Sequence, residues 1–126
     1  MQTYMFAAGI LALVVGAIHS VFGEILIFRH LRSSGLVPTM EAPPLRQRHV
    51  RIIWASWHLV TVFGWALGAV LLRFAFPSDE QSIQIFTENA IVCASLAGSL
   101  LVLIGTKGRH PGWIGLLGIA VLIWFN

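Results

Sequence analysis

The chain has 126 residues, 57% of them apolar and only 10% charged, with a mean hydropathy of +0.83. Soluble domains carry about 25% charged residues, so this composition excludes a water-covered globule and points to one membrane-embedded domain, residues 1–126. A sequence pI near 10.0 would suggest nucleic acid in a soluble protein, but here the charges sit in short loops beside apolar runs, and the positive-inside rule accounts for them without a nucleic-acid partner.

Four spans are expected, in an all-α, up-down four-helix bundle lying in the lipid bilayer. The first covers about residues 4–28, with Glu24 as its one formal charge. No basic region precedes it, which predicts a permanent span rather than a cleaved signal. Ser33, Ser34, Gly35 and Pro38 end it, and Pro43-Pro44 introduce the second helix. The second span, about 51–72, has 21 uncharged residues between Arg51 and Arg73. At about 1.5 Å per residue, that length crosses the roughly 30 Å hydrocarbon core of a bilayer.

The third span covers about 83–106. Ser78-Asp79-Glu80-Gln81 reads as a capping box opening it, and Glu88 and Asn89 are placed to meet Arg73 across the same interface. Gly108 serves as a C-cap and Pro111 as a first-turn residue, predicting a tight hairpin into the fourth span, about 111–125. That last run is short against the usual 20 or so residues. The single cysteine, Cys93, rules out an internal disulfide and leaves the redox compartment undefined.

Loop charges set an orientation. Arg29, Arg32, Arg46, Arg48 and Arg51 flank the first loop, and Lys107 and Arg109 lie in the last turn. Seven of the 8 basic residues thus fall on one side, with Arg73 alone on the other. Both basic loops are then cytoplasmic and both termini outside. Gly9, Gly16 and Gly23 recur every seven residues and form a seam for close helix approach. Gly64 and Gly68, and Ala90, Ala94 and Gly98, repeat the device in spans two and three.

The chemistry-bearing residues lie on these seams. His19 falls on the glycine face of span one, while Arg51, Trp54, His58, Thr61 and Trp65 form one stripe of span two. Antiparallel packing brings His19, Glu24 and His58 to similar depths. His19 and Glu24 are separated by about 140° around their helix, so they need not share a face. Ser20 and Ser99 are candidates for supporting hydrogen bonds.

An ionisable group at this depth costs about 2.5 kcal/mol or more on insertion scales, which makes it a functional candidate by default. Two imidazoles and a carboxylate suit a transition metal, two histidines on separate helices suit axial haem ligation, and the same groups suit a proton or quinone site. The competing reading is structural: neutral imidazoles satisfied by neighbouring helices, and Glu24 paired with Arg29 or Arg51. No H-x-x-x-H or E-x-x-H spacing strengthens the metal reading.

Lys107, Arg109 and His110, with Arg48, His49 and Arg51, form a second, basic cluster. It offers a lipid headgroup, a quinone headgroup or a phosphate a place to bind, or simply anchors the loops. Trp113 and Trp124 read as interfacial belt residues. Trp54, Trp57 and Trp65 lie deeper, where they pack the bundle or line a cavity.

Three patches, His19-Ser20-x-x-Gly23-Glu24, Trp57-His58-Leu59-x-Thr61 and Gly108-Arg109-His110-x-x-Trp113, resemble a group of uncharacterised small bacterial four-span membrane proteins. The resemblance implies a bacterial inner membrane, singles out His19, Glu24, His58, Arg109 and His110, and brings no activity with it.

The leading expectation is a small membrane bundle holding a metal ion, haem or quinone-like cofactor between spans one and two. His19, His58 and Glu24 would be its ligands, with Trp54 beside them and Arg109 and His110 as the cytoplasmic rim. Two alternatives differ in class: a non-catalytic subunit with a partner membrane subunit or in a homo-oligomer, and a proton-coupled small-solute transporter. Whether a reaction is catalysed stays open.

Overall fold

The computed structural model describes residues 2–125. Among them, four α-helices follow in chain order: α1 Gln2–Leu26, α2 Gln47–Phe74, α3 Glu80–Thr106 and α4 Gly112–Trp124. The first three are long and apolar enough to cross a membrane, while α4 is a shorter apolar helix. Its 13 residues reach only about 20 Å.

Packing is antiparallel and runs between chain neighbours: α1 on α2, α2 on α3, and α3 on α4. The expected up-down order therefore holds. Extensive contacts join only these consecutive pairs among the described residues, so the helices form an open row.

The glycine seam of α1 explains the first contact. Gly9, Gly16 and Gly23 are the buried residues of α1, and they face Leu72, Trp65 and Trp57 in descending order along α2. At Gly23 a Cβ would collide with the Trp57 indole, and at Gly16 it would lie 2.8 Å from Trp65. The two indoles therefore occupy space that only glycine leaves open. Gly98 and Gly105 of α3 receive Leu59 and Ala55 of α2 in the same way.

The helix ends follow local chemistry, with some shifts from expectation. Asp79, not Ser78, caps α3 by accepting the Ser82 N–H at 2.8 Å. Ser78 is instead engaged by Arg73, and Glu88 accepts from Gln84 at 2.8 Å, so the expected Arg73–Glu88 contact is replaced by two local ones. Lys107 ends α3 in the left-handed region at φ 54°, and Gly108 follows at φ 73°. The Gly108 N–H returns to Leu103 O at 2.9 Å, which turns the chain within a few residues into α4. Ser99 donates to Trp113 O at 2.8 Å and so ties α3 to α4 rather than supporting the histidines.

A short 3₁₀ turn, Phe28–Leu31, follows α1. Phe28, 1% exposed, joins Trp54, Ala55 and Val102 in the buried apolar cluster, with Trp57 and Trp113 packed against it. The core is thus densest at the end where the long loop and the α3–α4 turn gather, and the polar site lies beside it. Elsewhere the helices present large apolar side chains outward, among them Leu11, Phe22, Val60 and Leu122.

Candidate functional site

The α1–α2 interface brings Glu24 and His58 into direct contact. His58 Nε2 lies 2.7 Å from Glu24 Oε1, and their side chains are 16% and 28% exposed. Trp54 Nε1–H donates to the same oxygen at 2.7 Å. Arg32 reaches the other oxygen, Oε2, through an Nη2 at 2.5 Å. Two hydrogen bonds and one ion pair thus converge on one carboxyl group. An ionised carboxylate accepts all of them, whereas a protonated one would lose acceptor capacity.

Arg32 comes from the loop, and its place there is built. Its Nε donates to Leu36 O at 2.5 Å, while Thr39 and Met40 N–H groups return to Leu31 O at 3.0 and 2.9 Å. This folds the loop back over the end of α1. Phe28 covers the site from the same side, its ring 6.0 Å from that of His58. Trp54 meets the imidazole edge-on at 5.1 Å. Aromatic packing of this kind excludes water and strengthens the polar contacts beneath it.

On its other side His58 enters a hydroxyl chain. Nδ1 is 2.8 Å from Ser20 Oγ, Ser20 Oγ is 2.8 Å from Thr61 Oγ1, and Thr61 donates to Gly16 O at 3.1 Å. Proton counting along this chain is restrictive. Gly16 O and Glu24 Oε1 only accept, so Thr61 donates at one end and His58 Nε2 at the other. With Thr61 committed to Gly16, the Ser20 hydroxyl must donate to Thr61, and Ser20 then accepts from Nδ1–H. Satisfying every bond at once requires both ring nitrogens of His58 to carry protons.

A neutral His58 uses the other arrangement. Ser20 turns its O–H onto Nδ1, Thr61 serves either Ser20 or Gly16, and one bond is lost. One proton at His58 therefore sets the direction of the Ser20 hydroxyl, while Thr61 can keep Gly16 O in either state. The chain also stitches the helices together alternately, with Ser20 and Gly16 on α1 and His58 and Thr61 on α2.

His19 takes no part in this group. Its Nε2–H donates to Trp57 O at 3.2 Å, and Trp57 Nε1–H donates back to His19 O at 2.9 Å. The two rings stack at 4.4 Å and 8°. This reciprocal clasp is an interhelical packing device. Glu24 meets Arg32 rather than Arg29 or Arg51. The α2 stripe is divided: Trp54, His58, Thr61 and Trp65 face α1, with Trp65 donating to Leu13 O at 3.0 Å, whereas Arg51 turns to α3 and donates to Ile104 O at 3.2 Å.

The expected ligand set of His19, His58 and Glu24 for a transition metal or haem does not fit this geometry. Both ring nitrogens of His58 are engaged, His19 Nε2 is bonded to a backbone carbonyl on the far side of the Trp57 clasp, and Glu24 is committed to Trp54, His58 and Arg32. Among the described residues, no three His, Cys, Asp or Glu side chains converge as a metal site would require. Arg109 and His110 are not the rim of this site either. They line a separate cavity at the ends of α2 and α3, which includes none of His19, Glu24, Trp54 or His58.

Sequence reasoning grouped His19, Glu24 and His58 with Ser20 and Ser99 nearby; the structure joins Glu24, His58 and Ser20, adds Trp54 of the α2 stripe, turns His19 and Ser99 to other partners, and brings in Arg32 and Phe28, which sequence reasoning did not single out. Their positions depend on the fold of an aperiodic loop, for which hydrophobic periodicity carries no signal. Comparison of the chain with protein-family models, with curated proteins and with solved structures gave no match.

Proposed function

We propose that this chain is an integral membrane protein whose α1–α2 interface carries a proton-exchanging site at His58 and Glu24. The observation that supports it is the hydrogen-bonded chain from Glu24 through His58, Ser20 and Thr61 to Gly16 O, anchored by the Arg32–Glu24 ion pair, in which the direction of the Ser20 hydroxyl follows the protonation of one imidazole. In this reading both basic loops face the cytoplasm, as the distribution of arginine and lysine requires. The long apolar helices cross the bilayer, with their outward apolar side chains against lipid, and the resemblance of the three sequence patches supports a bacterial inner membrane as its location.

His58 is the group that gains and loses the proton, since its ring is the one member of the chain that can either donate from both nitrogens or leave Nδ1 to accept. Glu24 holds the imidazole by Nε2 and supplies the counter-charge. Arg32 fixes the carboxylate and balances it when His58 is neutral. Ser20 turns with the proton on His58, and Thr61 links Ser20 to Gly16 O of α1. This serves a proton-coupled step, the movement of a proton or of a small solute with it.

The test is proton uptake. Protein in lipid nanodiscs, taken by a pH step from above to below neutrality, should bind about one proton per chain more than the His58→Gln variant. The Glu24→Gln variant should show a displaced transition. Equal uptake by wild type and His58→Gln would remove the reading.

A further inference from the structure

A cavity of about 430 Å³ opens between the first turns of α2 and the α3–α4 turn. Its wall carries Arg48, His49 and Arg51 from α2 and Lys107, Arg109 and His110 from the turn, and no carboxylate. Most of these positions are exposed and would be satisfied by water. Arg51 is not.

Arg51 is 8% exposed. One Nη2 hydrogen goes to Ile104 O at 3.2 Å, and its buried Nε has no hydrogen-bond partner. The ion pairs among the described residues, Arg32–Glu24 and His58–Glu24, do not involve it. A buried guanidinium facing a cavity without a counter-charge is an unfavourable arrangement that an anion would relieve. A carbonyl at the end of α3 offers only a partial negative charge.

The other walls have the same sign. Gln47 and Arg48 belong to the first turn of α2, whose N–H groups lack intrahelical partners and favour anions. His110 Nδ1 accepts the Gly112 N–H at 3.1 Å, which leaves Nε2 as the nitrogen that bears the proton. The guanidinium forks of Arg48, Arg51 and Arg109 suit the oxygens of a tetrahedral oxyanion, and the concentration of charge suits a group with more than one negative charge.

We propose that this cavity binds a terminal phosphate group, one able to carry more than one negative charge, with Arg51 as its buried floor and Arg48, Lys107 and Arg109 around its mouth. The site is independent of the Glu24–His58 pair. Two sources present the same chemistry: the headgroup of an anionic lipid such as phosphatidic acid, and free inorganic phosphate.

Calorimetric titration of the purified protein in detergent, at constant ionic strength maintained with chloride, distinguishes them. The ligands are inorganic phosphate and a soluble short-chain phosphatidic acid. Because replacing buried Arg51 also endangers the fold, the exposed double variant Lys107→Gln/Arg109→Gln is measured beside Arg51→Gln. Saturable binding of at least one ligand is expected, weakened at least about tenfold in the double variant through the loss of charge-assisted hydrogen bonds. Binding of phosphatidic acid without phosphate assigns the site to a lipid headgroup, and similar binding of both shows that the phosphate group alone suffices. Absence of saturable binding of either ligand, or undiminished binding in the double variant, overturns the proposal.

Discussion

His58 Nε2 stands 2.7 Å from Glu24 Oε1, and that same oxygen accepts Trp54 Nε1–H at 2.7 Å. Glu24 is therefore the point on which the α1–α2 interface turns at its loop end, since Arg32 holds its second oxygen. Glu24→Leu would leave an indole, an imidazole and a guanidinium without their acceptor and should destabilise the protein by about 3 kcal/mol. Glu24→Gln keeps an acceptor oxygen for Trp54 and His58 and should lose about half of that. Unfolding titrations in mixed detergent micelles would give both values, and the order Leu worse than Gln is the discriminating result.

The glycines of this protein separate into two kinds, and alanine substitution should tell them apart by sign. Alanine is ordinarily favoured over glycine inside a helix by up to about 1 kcal/mol. A Cβ on Gly64 meets nothing within 4 Å, so Gly64→Ala should be neutral or stabilising. A Cβ on Gly23 would run into the Trp57 indole, which is held by its bond to His19 O at 2.9 Å. Gly23→Ala should therefore destabilise by about 1–3 kcal/mol through overpacking. Thermal unfolding of the two variants in the same detergent checks the prediction.

At the opposite end of the molecule, Asp79 accepts both the O–H and the N–H of Ser82, at 2.7 and 2.8 Å. These two bonds, the hydroxyl's first, hold its pKa below the ordinary 3.8. Since the folded state binds its proton less readily than the unfolded chain, this contribution is present above about pH 4 and is lost as pH falls through the folded value. Asp79→Asn keeps a capping oxygen that does not titrate. Wild type should therefore melt above Asp79→Asn near neutrality, and the difference should close as pH falls below the ordinary carboxylate range.

Much of this architecture was legible because it rests on period and length. The uncharged run between Arg51 and Arg73 could only be a long apolar helix, and the sevenfold recurrence of Gly9, Gly16 and Gly23 could only be a seam. The stripe of Trp54, His58, Thr61 and Trp65 followed from the same arithmetic, and it does face α1. What periodicity does not encode is the direction of a side chain once two helices meet. His19 lies on the seam as expected, yet its ring is taken by Trp57 and not by His58. Arg32 was one of several arginines near Glu24 in sequence, and only the fold of the loop at Leu36 and Thr39 chooses it. Ser99 looked like a partner for the histidines, but the tight turn at Lys107 and Gly108 brings Trp113 O to it first.

In the proposed reading, the proton on His58 and the direction of the Ser20 hydroxyl change together. Ring ¹⁵N signals of His58, recorded for labelled protein in lipid bilayers across the neutral pH range, test it most directly. The wild type should pass reversibly between a ring protonated at both nitrogens and a neutral ring protonated at Nε2, held there by Glu24. In Ser20→Ala, where Nδ1 loses its partner, the transition should shift to a different pH. A single, unchanging protonation state of His58 throughout, or a transition unaffected by either Ser20→Ala or Glu24→Gln, would contradict the account.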